Sequence, residues 1–545
     1  MSESITTLDE NFATLLEMVG DLRRGRLAVS HGDRTRTWAE FDDRAARLAA
    51  VLAARGVGPE SRVAVALYNG IEYLEAVFAT LKLRAVPVNV NYRYRSDELV
   101  QVLGDAQAEA VVFDASLAER FGEAHTELPR LATLLQVGDG KLPEWALGFE
   151  REVAAAEPAP RIPRGNDHWL TYTGGTTGKP KGVLVRHSRL FTLAWGSQVS
   201  LLGPPPSSLQ ELCDALTTSG LDRDVMVCVS TPPLMHATGM YTALGALVSG
   251  GRVVLLPSKS YDPDELAATI ERERVDTVAI VGDVFARPLA DALDAAEADG
   301  RPYDLTSLKR VISFGMTWSA EVKKRLLRHA DVLCRDTVTA SEGGPFALQD
   351  TRRGDSAATS RFMLWPGARV IDDKGGDVVP GSGQVGLLAA RAHESARYQG
   401  DDAATAATFF EIDGERWVVP GDMASLETDG TVIFHGRGSR VINTGGEKVH
   451  AEEVEEALLT HPAVRDAIVV AAPDPRWGSR IVAVVALRAG ATLTEQEARA
   501  HVGEQLADHK RPRELVVVDE IKRSPSGKAD LNWAREAARS AVRNT

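Results

Sequence analysis

The sequence predicts an α/β fold with largely parallel sheets, closed by a smaller and separate α+β unit. Three observations predict it. Short apolar runs alternate with stretches of helical spacing up to about residue 365, the pattern of layered helices and parallel strands. From there to residue 436, Gly, Asp and short β-like runs dominate. After GRGSR (436–440) a compact mixture of helix and strand patterns begins. At 545 residues the chain is too long for one core. The boundary falls at about Gly438, giving domains 1–437 and 438–545.

Thr37 and Glu40, three apart, form a capping box in which each satisfies the other's free N–H. Phe41, Ala45, Leu48 and Leu52 follow at helical spacing, and Gly56 stops the helix. Residues 63–67 form an apolar run that reads as a buried strand, and helix and strand alternate again over 72–83 and 86–90. Further apolar runs at 225–229, 253–256, 277–281 and 311–313 are separated by helical stretches. The segment 203–224, opening with GPPPSS, reads as a surface excursion. In the C-terminal unit the pattern gives a helix over 452–460 and strands over 467–471 and 481–487. A helix capped by Thr494 with Glu497 and a last strand over 515–518 follow.

Apolar residues make up 44% and charged residues 25%, the profile of an ordinary soluble protein. The net charge of -14 argues against nucleic acid or an anionic membrane as partner. Cys213, Cys228 and Cys334 are far apart, without metal-ligand spacing, which fits a reducing compartment and no disulfide framework. The N-terminal MSESITTLDENF is polar and acidic, unlike a signal peptide, and no run of about 18 apolar residues predicts a membrane span. The cytoplasm is the expected location.

The stretch YTGGTTGKPKG (172–182) places four glycines, three threonines and two lysines in eleven residues. Glycine is expensive to order, so such a cluster is either a flexible surface loop or a set of backbone N–H groups and ammoniums aimed at an anion, most plausibly phosphate. It is not a Walker A loop: Thr173 and Pro180 stand where that motif needs Gly and Ser or Thr.

The stretch does resemble the phosphate loop of the adenylate-forming superfamily, which holds acyl-CoA ligases, peptide-synthetase adenylation domains and luciferases. Gly174 replaces the family's usual serine and every other position of Tyr-Thr-Ser-Gly-Thr-Thr-Gly-x-Pro-Lys-Gly matches. The resemblance spans about residues 30–535, because further family motifs follow in order. It implies that Thr173, Gly174, Gly175, Thr176, Thr177, Gly178 and Lys181 cradle the phosphates of ATP. PPLMHATG puts His236 at the acyl pocket, although a lone histidine there reads equally as a buried residue bonded to backbone. VTASEGG puts Glu342 where a carboxylate helps hold Mg²⁺, and Ser341 where a hydroxyl contacts phosphate. VVPGD ends in Asp422, matched to the acceptor of both ribose hydroxyls, and Arg437 matches the ribose and phosphate contact. Ser439 falls at the hinge, Gly445 and Gly446 at the loop lining the pantetheine tunnel, and Lys528 of SPSGK at the lysine that bridges carboxylate and phosphate oxygens. Gly315 lies in the adenine-binding strand.

The resemblance implies two α/β sheet subdomains and a β-barrel-like subdomain, followed by a small mobile α+β domain. It implies a two-step ligase using ATP, Mg²⁺ and coenzyme A on a small-molecule carboxylic acid. Acid and ATP give acyl-AMP, the small domain rotates, and the CoA thiol displaces AMP. Four residues depart from the pattern: Phe314 and Met316 in SFGMTW, Val338 where a tyrosine stacks on adenine, and Thr339 where glycine is usual. They motivate an alternative in which adenylation is impaired and a partner ligase supplies the acyl-AMP. A homodimer is equally compatible with the sequence. Together with GDVFARPLADAL (282–293), the motifs look like those of actinobacterial ligases for bulky sterol or terpenoid acids, with medium- or long-chain fatty acids as the runner-up. His236, Thr238, Gly239, Asp283, Phe285, Ala286 and Gly315 are the pocket candidates, Asp283 reading also as a helix cap. A stand-alone adenylation enzyme would feed a carrier protein, and no carrier-type Gly-Gly-x-Ser segment follows Lys528. Nothing favours a luciferase-like oxygenase, and a non-catalytic nucleotide binder is expected to lose Lys528 or Glu342.

Overall fold

Thr37 caps the Trp38–Ala53 helix as its spacing requires: its hydroxyl accepts the Glu40 N–H, and the Glu40 carboxylate accepts the Thr37 N–H at 2.7 Å. That helix buries Phe41, Ala45, Leu48 and Leu52 on one face. The same logic recurs in the C-terminal unit, where Thr494 and Glu497 cap the Glu495–Gln505 helix. The computed structural model describes residues 8, 10–173, 180–196, 206–218, 226–392, 395–444, 447–474, 478–524 and 527–542.

The apolar runs are strands of two large sheets. In one, Arg62–Ala66, Val86–Asn89, Ala110–Asp114 and Thr133–Val137 lie parallel, their side chains buried on both faces. The antiparallel hairpin His168–Thr173 with Lys181–Arg186 extends this sheet, so the glycine-rich loop joins two paired strands. In the other sheet, Leu27–His31, Arg252–Leu255, Val227–Ser230, Thr277–Ile280, Arg310–Phe314 and Leu333–Ala340 run parallel in that spatial order. Gly343–Thr351 turns back against Leu333–Ala340. The Gly- and Asp-rich stretch is an antiparallel unit. It is joined edge to edge to the second sheet, because Arg361–Leu364 pairs with both Gly343–Thr351 and Val432–Arg437.

Beyond Arg437 the chain builds a small three-stranded sheet from Val464–Asp474, Gly478–Leu487 and Glu514–Val518. Alternate residues of its central strand face two separate cores: Ile481, Ala483 and Val485 on one side, Val482, Val484 and Ala486 on the other.

The segment 203–224 corrects the sequence expectation. Its described part contains the Leu209–Thr218 helix, which packs on the Phe12–Leu22 helix and fully buries Leu212 and Leu216. The prolines and hydroxyl residues before it obscure a two-residue apolar stripe at i, i+4. Leu212→Ala is expected to lower stability by about 2–5 kcal/mol in urea unfolding; a change within about 0.5 kcal/mol would return the segment to the surface.

Candidate functional site

Four parallel strands carry their carboxyl ends to one edge of the second sheet. The loops that leave them hold His236, Gly282, Gly315 and the turn of Ser341 and Glu342. Open α/β sheets place ligand sites there because the diverging loops leave a crevice.

The Tyr398 hydroxyl donates to Glu342 Oε1 at 2.7 Å. Tyr398 belongs to the two-residue strand Arg397–Tyr398, which pairs with Lys181–Arg186 with Tyr398 opposite Val183. One side chain thus ties the Glu342 turn to the hairpin carrying the glycine-rich loop. Burial, then the Glu342 charge, push the Tyr398 phenol well up, so it remains a donor. Lys181 lies 3.2 Å from Asp401 and 5.2 Å over the Tyr398 ring.

Asp422 opens the strand Asp422–Leu426, and Arg437 closes the strand Val432–Arg437 directly opposite. The Arg437 guanidinium reaches Asp422 Oδ1 at 3.2 Å, and Asp422 is almost fully buried. Burial would lower Arg437, but Asp422 and then Glu342 outweigh it and hold the guanidinium above its usual value.

Lys528 arrives from the small domain. Arg523 shapes its loop, reaching Asp466 at 2.7 Å and the Gly527 carbonyl at 2.9 Å, while the Lys528 carbonyl accepts the Ser524 N–H at 2.7 Å. Gly527 sits against Val284 of the Gly282–Ala298 helix, so this loop touches the large region. Lys528 is exposed to solvent along its side chain, with the protein around it still costing its ammonium part of its hydration. That loss, then the Arg437 charge, lower its pKa, and Glu342 and Asp422 act in the opposite direction. Lys528, Arg437, Asp422 and Glu342 therefore share one electrostatic neighbourhood.

His236 caps the Ala237–Val248 helix with its backbone and lines a crevice of about 10 Å³, room for one water, with Trp169, Met240 and Tyr241. Among the described residues its Nε2 is buried without a hydrogen-bond partner. Burial, then the Lys528 and Arg93 charges, depress its pKa to about 3. Thr238 is half-buried on the first turn of that helix. Gly239 is there because a Cβ would stand 2.4 Å from the Pro233 carbonyl oxygen. Gly315 is exposed at φ +83°, which favours glycine.

Of the seven pocket candidates, His236 lines this crevice, and Thr238, Gly239, Asp283, Phe285, Ala286 and Gly315 do not; the helix-cap reading of Asp283 needs correction. Asp283 neither caps the Gly282–Ala298 helix, whose N-cap is Val281, nor lines the crevice. Its carboxylate accepts from Ser319 N at 2.9 Å, Ser319 Oγ at 2.7 Å and Arg287 at 2.8 Å, fastening two helices together. Phe285 and Ala286 are buried in the second sheet's core, Phe285 against the Tyr261 ring. Gly174, Gly175, Thr176, Thr177, Gly178, Gly445 and Gly446 lie outside the described residues, as does the side chain of Ser439 in the turn Gly438–Arg440. Thr173 ends the strand His168–Thr173, at the near end of that loop.

The four departures sort themselves by direction. Val338 packs against the large hydrophobic core, and the Thr339 hydroxyl donates to the Gly343 carbonyl at 3.3 Å, inside the Glu342 turn. Met316 packs on the second sheet's core, and Phe314 is half-buried at the end of its strand. Tyr398 and Arg189 were not singled out from sequence. Both reach the Glu342 turn from elements far along the chain, and no local signal marks them.

A loop of the small C-terminal unit brings one lysine within electrostatic reach of a glutamate, an aspartate and an arginine of the larger α/β platform, an arrangement suited to an enzyme that handles anionic groups. Residues 17–397 match the family model "AMP-binding enzyme", and residues 453–528 match "AMP-binding enzyme C-terminal domain". The chain is 36% identical to the 3-oxocholest-4-en-26-oate–CoA ligase of Rhodococcus rhodochrous, over 96% of this chain and 95% of that one. It is 38% identical to the medium-chain acyl-CoA ligase Mig of Mycobacterium avium, over 94% and 95%. Among solved structures it superimposes on the anthranilate CoA ligase AuaEII in complex with anthranoyl-AMP, with a TM-score of 0.84, 23% identity and coverage of 99% and 100%. The chain belongs to the AMP-binding enzyme family. It is an ATP-dependent, AMP-forming CoA ligase.

A histidine titrating near pH 3 is neutral at any working pH. His236→Gln is therefore expected to leave the limbs of the pH–rate profile between pH 5 and 8 where they are; a limb displaced in the variant would mean that His236 titrates during turnover.

Proposed function

We propose that this enzyme performs both half-reactions on one carboxylic acid, with residues 1–437 holding acid and nucleotide and residues 438–545 turning about Ser439 between steps. The observation that carries this reading is the shared neighbourhood of Lys528 with Glu342, Asp422 and Arg437. In the first step a substrate carboxylate oxygen bonds to the α-phosphorus of ATP and the bond to pyrophosphate breaks, giving acyl-AMP. In the second, the CoA sulfur bonds to the acyl carbon, AMP departs and the thiol proton is released.

Each residue's part follows from its chemistry. The Lys528 ammonium offsets the charge that builds on the α-phosphate oxygens as the carboxylate arrives. Asp422 accepts ribose hydroxyls beside Arg437, which contacts ribose and phosphate. A hard cation takes oxygen ligands, and Glu342, whose Oε1 is fixed by Tyr398, offers a suitable carboxylate for Mg²⁺. The motifs assign the departing pyrophosphate to Thr173, Lys181, Ser341 and the glycine-rich loop, and pantetheine to Gly445 and Gly446. His236, Thr238 and Gly239 lie on the acyl side and Gly315 by the adenine. The turned-in side chains of Val338 and Thr339 support an intact adenylation step rather than a supply of acyl-AMP from a partner ligase.

The acid is a bulky polycyclic one, steroid- or terpenoid-derived, a reading supported by the relative that acts on 3-oxocholest-4-en-26-oate. A medium-chain fatty acid is the second reading, supported by the relative of that name. The test compares a polycyclic acid with ATP, Mg²⁺ and CoA against preformed acyl-AMP with CoA. Thioester in both is expected; thioester from acyl-AMP alone would move the first step to a partner. Lys528→Ala is expected to slow adenylation by about 10²–10³-fold and to spare thioester formation from acyl-AMP. Equal losses in the two assays would remove Lys528 from the proposed role.

A further inference from the structure

Asn89 ends the strand Val86–Asn89, which lies against His168–Thr173 with Val88 opposite Leu170. Its carboxamide bonds only to backbone groups. Oδ1 accepts the Tyr172 N–H at 2.7 Å, and Nδ2 donates to the Tyr172 carbonyl at 2.9 Å and to the Met235 carbonyl at 2.6 Å. Two carbonyls and one N–H admit a single orientation of the amide. Tyr172 and Met235 lie 83 and 146 residues further along the chain. Tyr172 belongs to the strand that runs into the glycine-rich loop, and Met235 immediately precedes His236.

These are segments of different sheets. The loop carrying Met235 and His236 leaves the strand Val227–Ser230 of the second sheet, while Asn89 and Tyr172 belong to the first. An asparagine that merely finished its strand would need only the two Tyr172 bonds; the third reaches the other sheet. Asn69, in the turn after Arg62–Ala66, also holds this loop, accepting the Leu234 N–H at 2.7 Å. Its side-chain hydrogen bonds, to Leu234 and Pro232, reach the loop alone among the described residues, and the hairpin takes no part in them. A second bond joins hairpin and acyl side: the Thr171 hydroxyl meets the Tyr241 hydroxyl at 3.1 Å, on the helix that follows His236. Asn89 itself lines the crevice of His236 and Trp169.

Adenylation needs the acid's carboxylate brought to the α-phosphorus, and a displacement of about 1 Å at such a junction costs about 10²-fold in rate. We propose that Asn89 is a positioning residue for this step, setting the loop of His236 in register with the phosphate loop that begins after Thr173. The inference rests on the ligase reading above, which puts the acid beside His236 and the phosphates at the glycine-rich loop. Tyr172 is held at both its N–H and its carbonyl, so a nucleotide that steadies the loop also steadies Met235 through the shared amide.

The test reads hydrogen exchange by mass spectrometry over residues 234–241, with and without saturating Mg²⁺ and α,β-methylene-ATP, which cannot be cleaved between its α- and β-phosphorus. Wild type, Asn89→Ala, Asn89→Asp and Asn69→Ala are compared, with calorimetry for nucleotide binding and thermal unfolding for folding. Aspartate keeps the shape and the acceptor for Tyr172 and removes both donors, so it separates the Met235 bond from packing. Nucleotide is expected to slow exchange about 5- to 10-fold in the wild type and in Asn69→Ala, and less than about 2-fold in both Asn89 variants. ATP–pyrophosphate exchange is then measured with decanoate and with 3-oxocholest-4-en-26-oate. On the acid that supports it, the Asn89 variants are expected to lose about 10²-fold in kcat, with the acid KM changed less than about 3-fold. Bound nucleotide without slowing in the wild type would overturn the inference, as would undiminished slowing in the Asn89 variants. A raised acid KM with kcat unchanged would also overturn it, leaving Asn89 a wall of the crevice. Absence of nucleotide binding in the wild type would fail the phosphate-loop reading and the inference with it. Pyrophosphate exchange with neither acid would fail the substrate reading alone, and hydrogen exchange then decides the inference.

Discussion

The register that sets Asp422 opposite Arg437 is the constraint on which the rest of the cleft depends. It buries a carboxylate that is tolerable only with its guanidinium partner, since an isolated buried charge is strongly disfavoured. Arg437 is also the last residue of its strand, and the chain turns at once into Gly438–Arg440.

A second constraint comes from Tyr398. Its strand is two residues long, with Arg397 exposed and Tyr398 buried, and it pairs with the hairpin of the glycine-rich loop and bonds to Glu342. It couples two walls that belong to different sheets. The Thr339 hydroxyl and Arg189 hold the Glu342 turn from two other sides. A turn held from three directions has little freedom to drift, which suits a carboxylate that must meet a cation in a fixed geometry. Thr339 stands at a position where glycine is usual in the family, and its side chain serves the turn.

Elements whose cause is local were legible in the sequence. The capping boxes at Thr37 and Thr494 need only a hydroxyl and a glutamate three residues apart. The apolar runs of the parallel strands announce themselves because both faces are buried. Legibility failed where a side chain's direction is set by a distant partner. Asp283 reads as a helix cap, yet Ser319 turns its carboxylate toward a neighbouring helix. The Leu209–Thr218 helix was missed because two buried leucines among polar residues are too weak a stripe to read without the Phe12–Leu22 helix they cover.

The sequence by itself determined the α/β class, the change to a separate C-terminal unit after Arg437, and the ordered motifs that hold Glu342, Asp422, Arg437 and Lys528. These depend on spacing along the chain, and spacing is what a sequence records. Only the tertiary structure decided that the four charges act on one another, that Tyr398 fastens Glu342, and that Arg189 has a carbonyl for its partner. The physical reason is range. Strand register and side-chain direction are fixed by residues a hundred or more positions away, whose approach is dictated by burial of the whole core.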